Sequence, residues 1–198
     1  MYGKRYPMTL PPVVLLLVLL WGGFLACWWI PALRNRTSLK RVPSRFGFLT
    51  TPVVPAGILL VAIGVLAPDL YSVRVLPDLL PVVIVGLLVA VLGMGFALWA
   101  RLHLGKNWSS RPAIRENHTI TRTGPYAIVR HPIYTGILTA ILGTAIATGS
   151  LLACVCLLVI GVLFLVKIRM EERFLLEEFG GDYERYRMEV KALVPYVL

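Results

Sequence analysis

Long apolar runs, each close to the length that crosses a bilayer, follow one another along this chain, and no other feature limits its fold so strongly. They cover Pro11–Leu33, Phe48–Ala67, Leu79–Ala100, Ile133–Thr148 and Leu151–Val166, against the roughly 20 residues a helix needs to span hydrocarbon. Lipid offers no partner for backbone N–H and C=O groups, so such runs must satisfy them internally as helices. The expectation is an all-α integral membrane protein with about five transmembrane helices. Only Gly149 and Ser150 separate the last two runs, which are also shorter, and this predicts a tight helical hairpin. Composition agrees: 58% of the 198 residues are hydrophobic and 15% charged, against about a quarter charged in soluble domains.

The net charge of +10 would suit a nucleic-acid partner if the bases formed an aromatic-interleaved stripe. Instead they fall between and after the apolar runs, as topology signals. The stretch Arg34–Gly47 holds Arg34, Arg36, Lys40, Arg41 and Arg45 without an acid, whereas Pro68–Asp78 holds Arg74 against Asp69 and Asp78. By the positive-inside rule the first loop is cytoplasmic and the second external. The basic stretch Arg101–Arg130 then returns to the cytoplasm, together with the charged C-terminus. Lys4 and Arg5 before the first run imitate a signal peptide, but the run continues through Trp28, Trp29 and Ile30 without a small-residue cleavage pattern, so it is expected to be retained. Cys27, Cys154 and Cys156 lie inside apolar runs, where a thiol acts as a small hydrophobe. His103, His118 and His131 lack a nearby acidic or cysteine ligand set, so no metal is expected. Gly86 with Ala90, and Gly143 with Ala147, are small pairs four apart that allow close helix approach.

Chemistry-bearing residues concentrate in Arg101–Tyr134 and Lys167–Tyr186, both on the same expected face. A pocket between them at the cytoplasmic boundary is the default site. Pro132 disfavours helix at His131 and suits the first turn of a helix beginning there, which puts Arg130 and His131 at a helix start whose free N–H groups can hold a carboxylate. Tyr126 and Tyr134 offer flat faces to an adenine or a sulfonium. Glu171 and Glu172 come directly after a lipid-embedded helix, where a carboxylate needs a partner. A cofactor ammonium fits that need, and so do Lys167, Arg169 or Arg173 at helical spacing; the residues alone leave both open. Beyond them Phe174, Leu175, Leu176, Phe179, Tyr183, Tyr186 and Val190 form an apolar stripe, expected to break near Gly180 and Gly181.

Two segments carry a resemblance. Gly124-Pro125-Tyr126 leads into Arg130-His131-Pro132-Ile133-Tyr134-Thr135-Gly136, and Glu171-Glu172 comes after one hairpin. From Arg101 onward the chain resembles the isoprenylcysteine carboxyl methyltransferases and their relatives among phospholipid methyltransferases. The apolar runs give an N-terminal three-helix membrane scaffold over residues 1–100, and the resemblance implies a methyltransferase region over 101–198. It also implies S-adenosylmethionine as cofactor, held by His118, Thr119, Ile120, Thr121, Tyr126, His131, Pro132, Ile133, Tyr134 and Glu171. Arg130 and Glu172 become candidates for a catalytic role. Lys167 stands where the family generally has an arginine that meets the substrate, with Arg169 as its alternate. The implied acceptor is the carboxylate of an isoprenylcysteine-like or other lipophilic molecule, and the implied setting a bacterial or archaeal cytoplasmic membrane. Membrane lipids are the expected surroundings, with no nucleic acid. Phospholipid N-methylation and small-thiol S-methylation are the enzymatic alternatives, and a small membrane adaptor the non-enzymatic one.

Overall fold

The computed structural model describes residues 12–34, 73–105 and 120–196. The expected second span, the first basic loop beyond Arg34, and His118 and Thr119 lie outside the described residues. The described chain is helical: α1 Pro12–Arg34, α2 Leu80–Leu104, α3 Pro132–Thr148, α4 Leu151–Phe179 and α5 Gly181–Glu189, with a 3-10 turn over Gly124–Ala127. Two of these, α2 and α4, are long and apolar enough to cross a membrane; α3, at 17 residues, is shorter. Leu80, Leu88, Leu92, Leu158 and Val162 all stand exposed on α2 and α4, an exterior that suits acyl chains rather than water.

Helix boundaries follow local chemistry. Pro132 occupies the first turn of α3, after His131 at φ −120° and ψ 59°. Gly149 ends α3 in the left-handed region at φ 62°, and its N–H bonds the carbonyl of Ala145 at 2.9 Å. The helical hairpin expected at Gly149-Ser150 is therefore present. The backbone of Val73–Val75 runs along this turn: Leu151 N–H reaches Val73 O at 2.8 Å and Val75 N–H reaches Gly149 O at 2.7 Å. In one respect the hairpin differs from expectation. Its second arm does not stop at Val166: the helix is 29 residues long and runs on through Lys167, Glu171 and Glu172 to Phe179. Lysine, glutamate, arginine and leucine are all good helix formers, so leaving the apolar run gives the backbone no reason to stop.

The α2–α3 contact is the tightest in the structure. A Cβ placed on Gly86 would stand 2.2 Å from Ala147 N, one on Gly143 2.2 Å from Ala90 N, and one on Gly93 2.4 Å from Ala140 N. The helices run antiparallel, so Gly86, Ala90, Gly93 and Ala97 face Ala147, Gly143, Ala140 and Gly136 in turn. The small pairs read from sequence thus face each other and extend along both helices. In lipid no hydrophobic force drives helices together, and close backbone approach supplies dispersion contacts instead. α1 leans on this pair through Phe24 against Met94, Ala97 and Ala140. Trp21 Nε1–H also donates to Thr144 Oγ1 at 3.1 Å.

Candidate active site at the polar end of the helix packet

The two polar stretches meet. α3 presents His131 and Tyr134 one turn apart, and the polar extension of α4 presents Lys167, Glu171 and Glu172 to them. Tyr134 O–H lies 2.7 and 2.9 Å from the two oxygens of Glu171. Lys167 Nζ lies 3.8 Å from Glu171 Oε1 and 5.1 Å from the centre of the Tyr134 ring. That ring stacks on His131 at 5.6 Å and 7°, and on Phe164 at 4.6 Å and 21°.

Glu172 has a different neighbourhood. Arg130 donates to its Oε1 from Nε at 2.9 Å and from Nη2 at 2.5 Å. His131 Nε2 lies 3.3 Å from the same oxygen, and Arg187 Nε 3.6 Å from Oε2. The remaining guanidinium nitrogen, Arg130 Nη1, donates to the carbonyls of Arg187 and Val190. Glu172, with an 11% exposed side chain, is thus surrounded by bases, whereas Glu171, 23% exposed, has a phenol and, each at 3.8 Å, the Lys167 amine and His131 Nδ1. Lone acids at such depth are costly, and surplus cation around Glu172 removes that cost locally.

A third wall comes from the C-terminal segment, which folds back onto this end of the packet. Arg130 N–H donates to Lys191 O at 2.8 Å, His131 N–H to Ala192 O at 3.0 Å, and Thr135 Oγ1 to Leu193 O at 2.8 Å. This corrects the expectation that the amides at Arg130 and His131 are free for a carboxylate, since backbone carbonyls already occupy them. The break expected at Gly180-Gly181 is present, with Gly180 at φ 50° between α4 and α5. Of the apolar stripe, Tyr183 and Tyr186 are buried. Tyr186 O–H donates to Tyr126 O at 2.6 Å, and Arg122 lies over its ring and donates to Asp182 O at 2.5 Å. Burial pushes the Tyr186 hydroxyl up to about 12, against the opposing pull of Arg130 and Arg122, and pushes Tyr183 further.

Of the residues named from sequence, Arg130, His131, Tyr134, Lys167, Glu171 and Glu172 form one contiguous cluster. Pro132 is fully buried beneath it, and Ile133 is half-buried. Tyr126, 8% exposed, sits in the turn beside the cluster, and Ile120 and Thr121 approach that turn half-buried. Arg169 is apart from it: two residues after Lys167, it is exposed on another side of α4. Sequence reasoning missed Arg187 and the phenol of Tyr186. The i, i+3 spacing of Tyr183 and Tyr186 marks a buried face but not which carbonyl its hydroxyls meet.

An apolar helix packet, two of its helices long enough to cross a bilayer and one polar cluster gathered at one end, defines a membrane-type helical protein with its chemistry at the boundary. The chain belongs to the phospholipid methyltransferase family, whose profile matches residues 81–182, just over half of it. A protein-S-isoprenylcysteine O-methyltransferase of Schizosaccharomyces pombe is 34% identical over 101 residues, covering 50% of this chain and 43% of that one. Methanethiol S-methyltransferase 2 of Bradyrhizobium diazoefficiens is 44% identical over 71 residues, covering 35% of this chain and 26% of that one. The chain therefore spans about half or less of the length of these two relatives. The solved structure of a eukaryotic intramembrane Ras methyltransferase, isoprenylcysteine carboxyl methyltransferase, aligns over 96% of this chain and 70% of its own, with a TM-score of 0.60 at 22% identity. It shares the fold.

Proposed function

We propose that the chain is an integral-membrane methyltransferase that takes its methyl group from S-adenosylmethionine and passes it to a lipophilic acceptor at the cytoplasmic face. The observation that carries this reading is Glu171: a partly exposed acid just past the apolar part of α4, oriented by the Tyr134 hydroxyl and only loosely met, at 3.8 Å each, by Lys167 and His131. Such an acid suits a cofactor ammonium, and the donor set fits the rest of the molecule. Tyr134 and Tyr126 offer aromatic surface toward a sulfonium and a purine, Ile133 adds apolar surface, and Ile120 and Thr121 line the approach, with His118 and Thr119 next to them in sequence. When bound, the cofactor would supply a methyl group on a sulfonium, open to in-line attack by an ionised carboxylate or thiolate as the sulfonium S–CH3 bond breaks and the neutral thioether leaves.

An ionised carboxylate acceptor needs no general base at neutral pH, so the residues have three tasks: to bind, to align and to exclude water. Glu171 holds and Tyr134 orients. Glu172 works through Arg130, His131 and Arg187, keeping the cluster charged and the C-terminal segment clamped over it; in this reading Arg130 and Glu172 act by position. Lys167 meets the acceptor's anionic head, and Arg169 lies exposed outside the cluster. An isoprenylcysteine-like carboxylate is the acceptor we favour. The likeness to methanethiol S-methyltransferases over 71 residues gives a second reading, a small thiol, for which His131 is the candidate base.

The test is calorimetric titration of S-adenosylmethionine into the purified chain in lipid nanodiscs, and then methyl transfer to prenylcysteine and to small thiols. Binding with transfer to a prenylcysteine is the expected result. No binding by folded protein would remove the reading.

A further inference from the structure

One junction lies outside the Glu171–Glu172 cluster and is not explained by helix packing. His103, in the last turn of α2, brings Nε2 to 2.9 Å from Thr123 Oγ1, twenty residues on. Its ring stacks with Tyr126 at 6.4 Å and 24°. It also fills the space beside Gly124, where an added Cβ would stand 2.7–2.9 Å from three ring atoms. Gly124 itself has φ +60°, which only glycine adopts at no cost. A histidine near a helix C-terminus ordinarily serves the helix's own last carbonyls. Here one side chain grips Thr123, Gly124 and Tyr126 of a different element, and the opposite side of that turn is fixed by Tyr186 on the Tyr126 carbonyl.

We infer that His103 is a positioning residue for the cofactor, acting through the Thr123–Tyr126 turn. The inference rests on the cofactor reading of the site under Proposed function. Tyr126 is held between two supports, one on α2 and one on α5, and its location relative to Tyr134 depends on both. Loss of the His103 support leaves the helices packed, because their contact lies in the Gly86–Ala97 stripe, but lets the turn pivot. The consequence is weaker cofactor binding without loss of the chemical step.

The experiment uses the full chain in nanodiscs with S-adenosylmethionine as probe, reading the dissociation constant by calorimetry, the unfolding midpoint, and kcat at saturating cofactor. His103→Ala and Thr123→Val should each weaken binding about 3- to 10-fold, the range for one lost hydrogen bond, with kcat and midpoint close to wild type. The double variant should be no weaker than the weaker single, since both remove one tie. His103→Gln, whose amide can still reach the Thr123 hydroxyl, should recover most of the affinity. Thr123→Val alters an exposed hydroxyl and keeps the test readable should His103→Ala fail to fold. Unchanged affinity in the single variants, or losses that multiply in the double, would overturn the inference. Absence of binding by the wild type is a different result: it removes the cofactor reading, and this inference with it.

Discussion

The hydroxyl of Tyr186 donates to the backbone carbonyl of Tyr126 at 2.6 Å, fastening the last helix of the described chain to the turn that precedes the Arg-His-Pro element. Both residues are buried, so neither group has water as a ready substitute. Tyr186→Phe keeps the ring under Arg122 but leaves that carbonyl without its donor. The expected loss is about 1–3 kcal/mol of stability, measured as the unfolding midpoint in detergent. An unchanged midpoint would mean that the C-terminal helix is not fastened there.

The same hydroxyl predicts how stability depends on alkali. Burial raises it from the ordinary 10 to about 12, so the folded protein keeps a proton that the unfolded chain releases. Its contribution is complete below pH 10 and is lost as pH rises from about 10 to 12. Tyr183 is shifted the same way by burial and then by Glu172, and extends the loss further into alkali. The midpoint of wild-type protein should fall in this window, and Tyr186→Phe should fall less. Parallel curves for the two proteins would sink the assignment.

The adjacent acids should separate cleanly. Glu172 is the common partner of Arg130, His131 and Arg187, and removing one side of a buried ion pair costs about 3–5 kcal/mol. Glu171 has a phenol at hydrogen-bond distance and two bases, Lys167 and His131, each at 3.8 Å. Glu172→Gln should therefore lower the unfolding midpoint markedly. Glu171→Gln should barely move it, yet should weaken S-adenosylmethionine binding about 10- to 150-fold, the equivalent of about 1.5–3 kcal/mol for a charged hydrogen bond. If the two variants exchange these behaviours, the division of labour between the acids is wrong.

Close approach between α2 and α3 gives a packing test. Gly143→Val places bulk where a single Cβ already meets Ala90 N at 2.2 Å, and since the atoms it meets are backbone the helices have to part. A loss of at least about 1–3 kcal/mol is expected. At Gly161 an added Cβ meets nothing within 4 Å, so Gly161→Ala on α4 should be neutral to stabilising, by up to about 1 kcal/mol from helix propensity. Equal effects at the two sites would contradict the interface.

How much of the fold was legible in the sequence depends on the range of the interactions. Pro132 at the start of α3, Gly149 at its end and the break at Gly180 are set by the residue itself and its immediate neighbours, and each could be read. So could the meeting of the two polar stretches, because the motifs flank one hairpin and a tight turn fixes which ends come together; the bond from Tyr134 to Glu171 within it could not. The unbroken helix from Val166 to the break at Gly180 could not, because hydropathy reports where lipid stops rather than where helix stops. Nor could the fate of the Arg130 and His131 amides. Their partners, Lys191 and Ala192, are some sixty residues away and offer only backbone, which no side-chain pattern advertises. The expected five spans rest on apolar runs; among the described residues, two helices meet the length and hydropathy needed.

The acceptor is the least constrained part of the proposal, and chain length is the variable that separates its two readings. The cluster stands at the start of α3 and just past the apolar part of α4, helices whose exposed residues include leucine and valine, so a lipid-bearing acceptor can approach sideways with its polar head toward Lys167. Each methylene buried from water contributes about 0.8 kcal/mol, which sets an upper bound of about fourfold per methylene on the gain in apparent affinity. A series of thioether carboxylates differing only in apolar chain length, assayed below their micellar limits in nanodiscs, should show KM falling stepwise with length until further methylenes are no longer buried. kcat should stay nearly constant, because the reacting head is the same throughout. A KM indifferent to length, with turnover of methanethiol-sized acceptors, would replace the lipid acceptor with a small thiol while leaving the cofactor site as proposed.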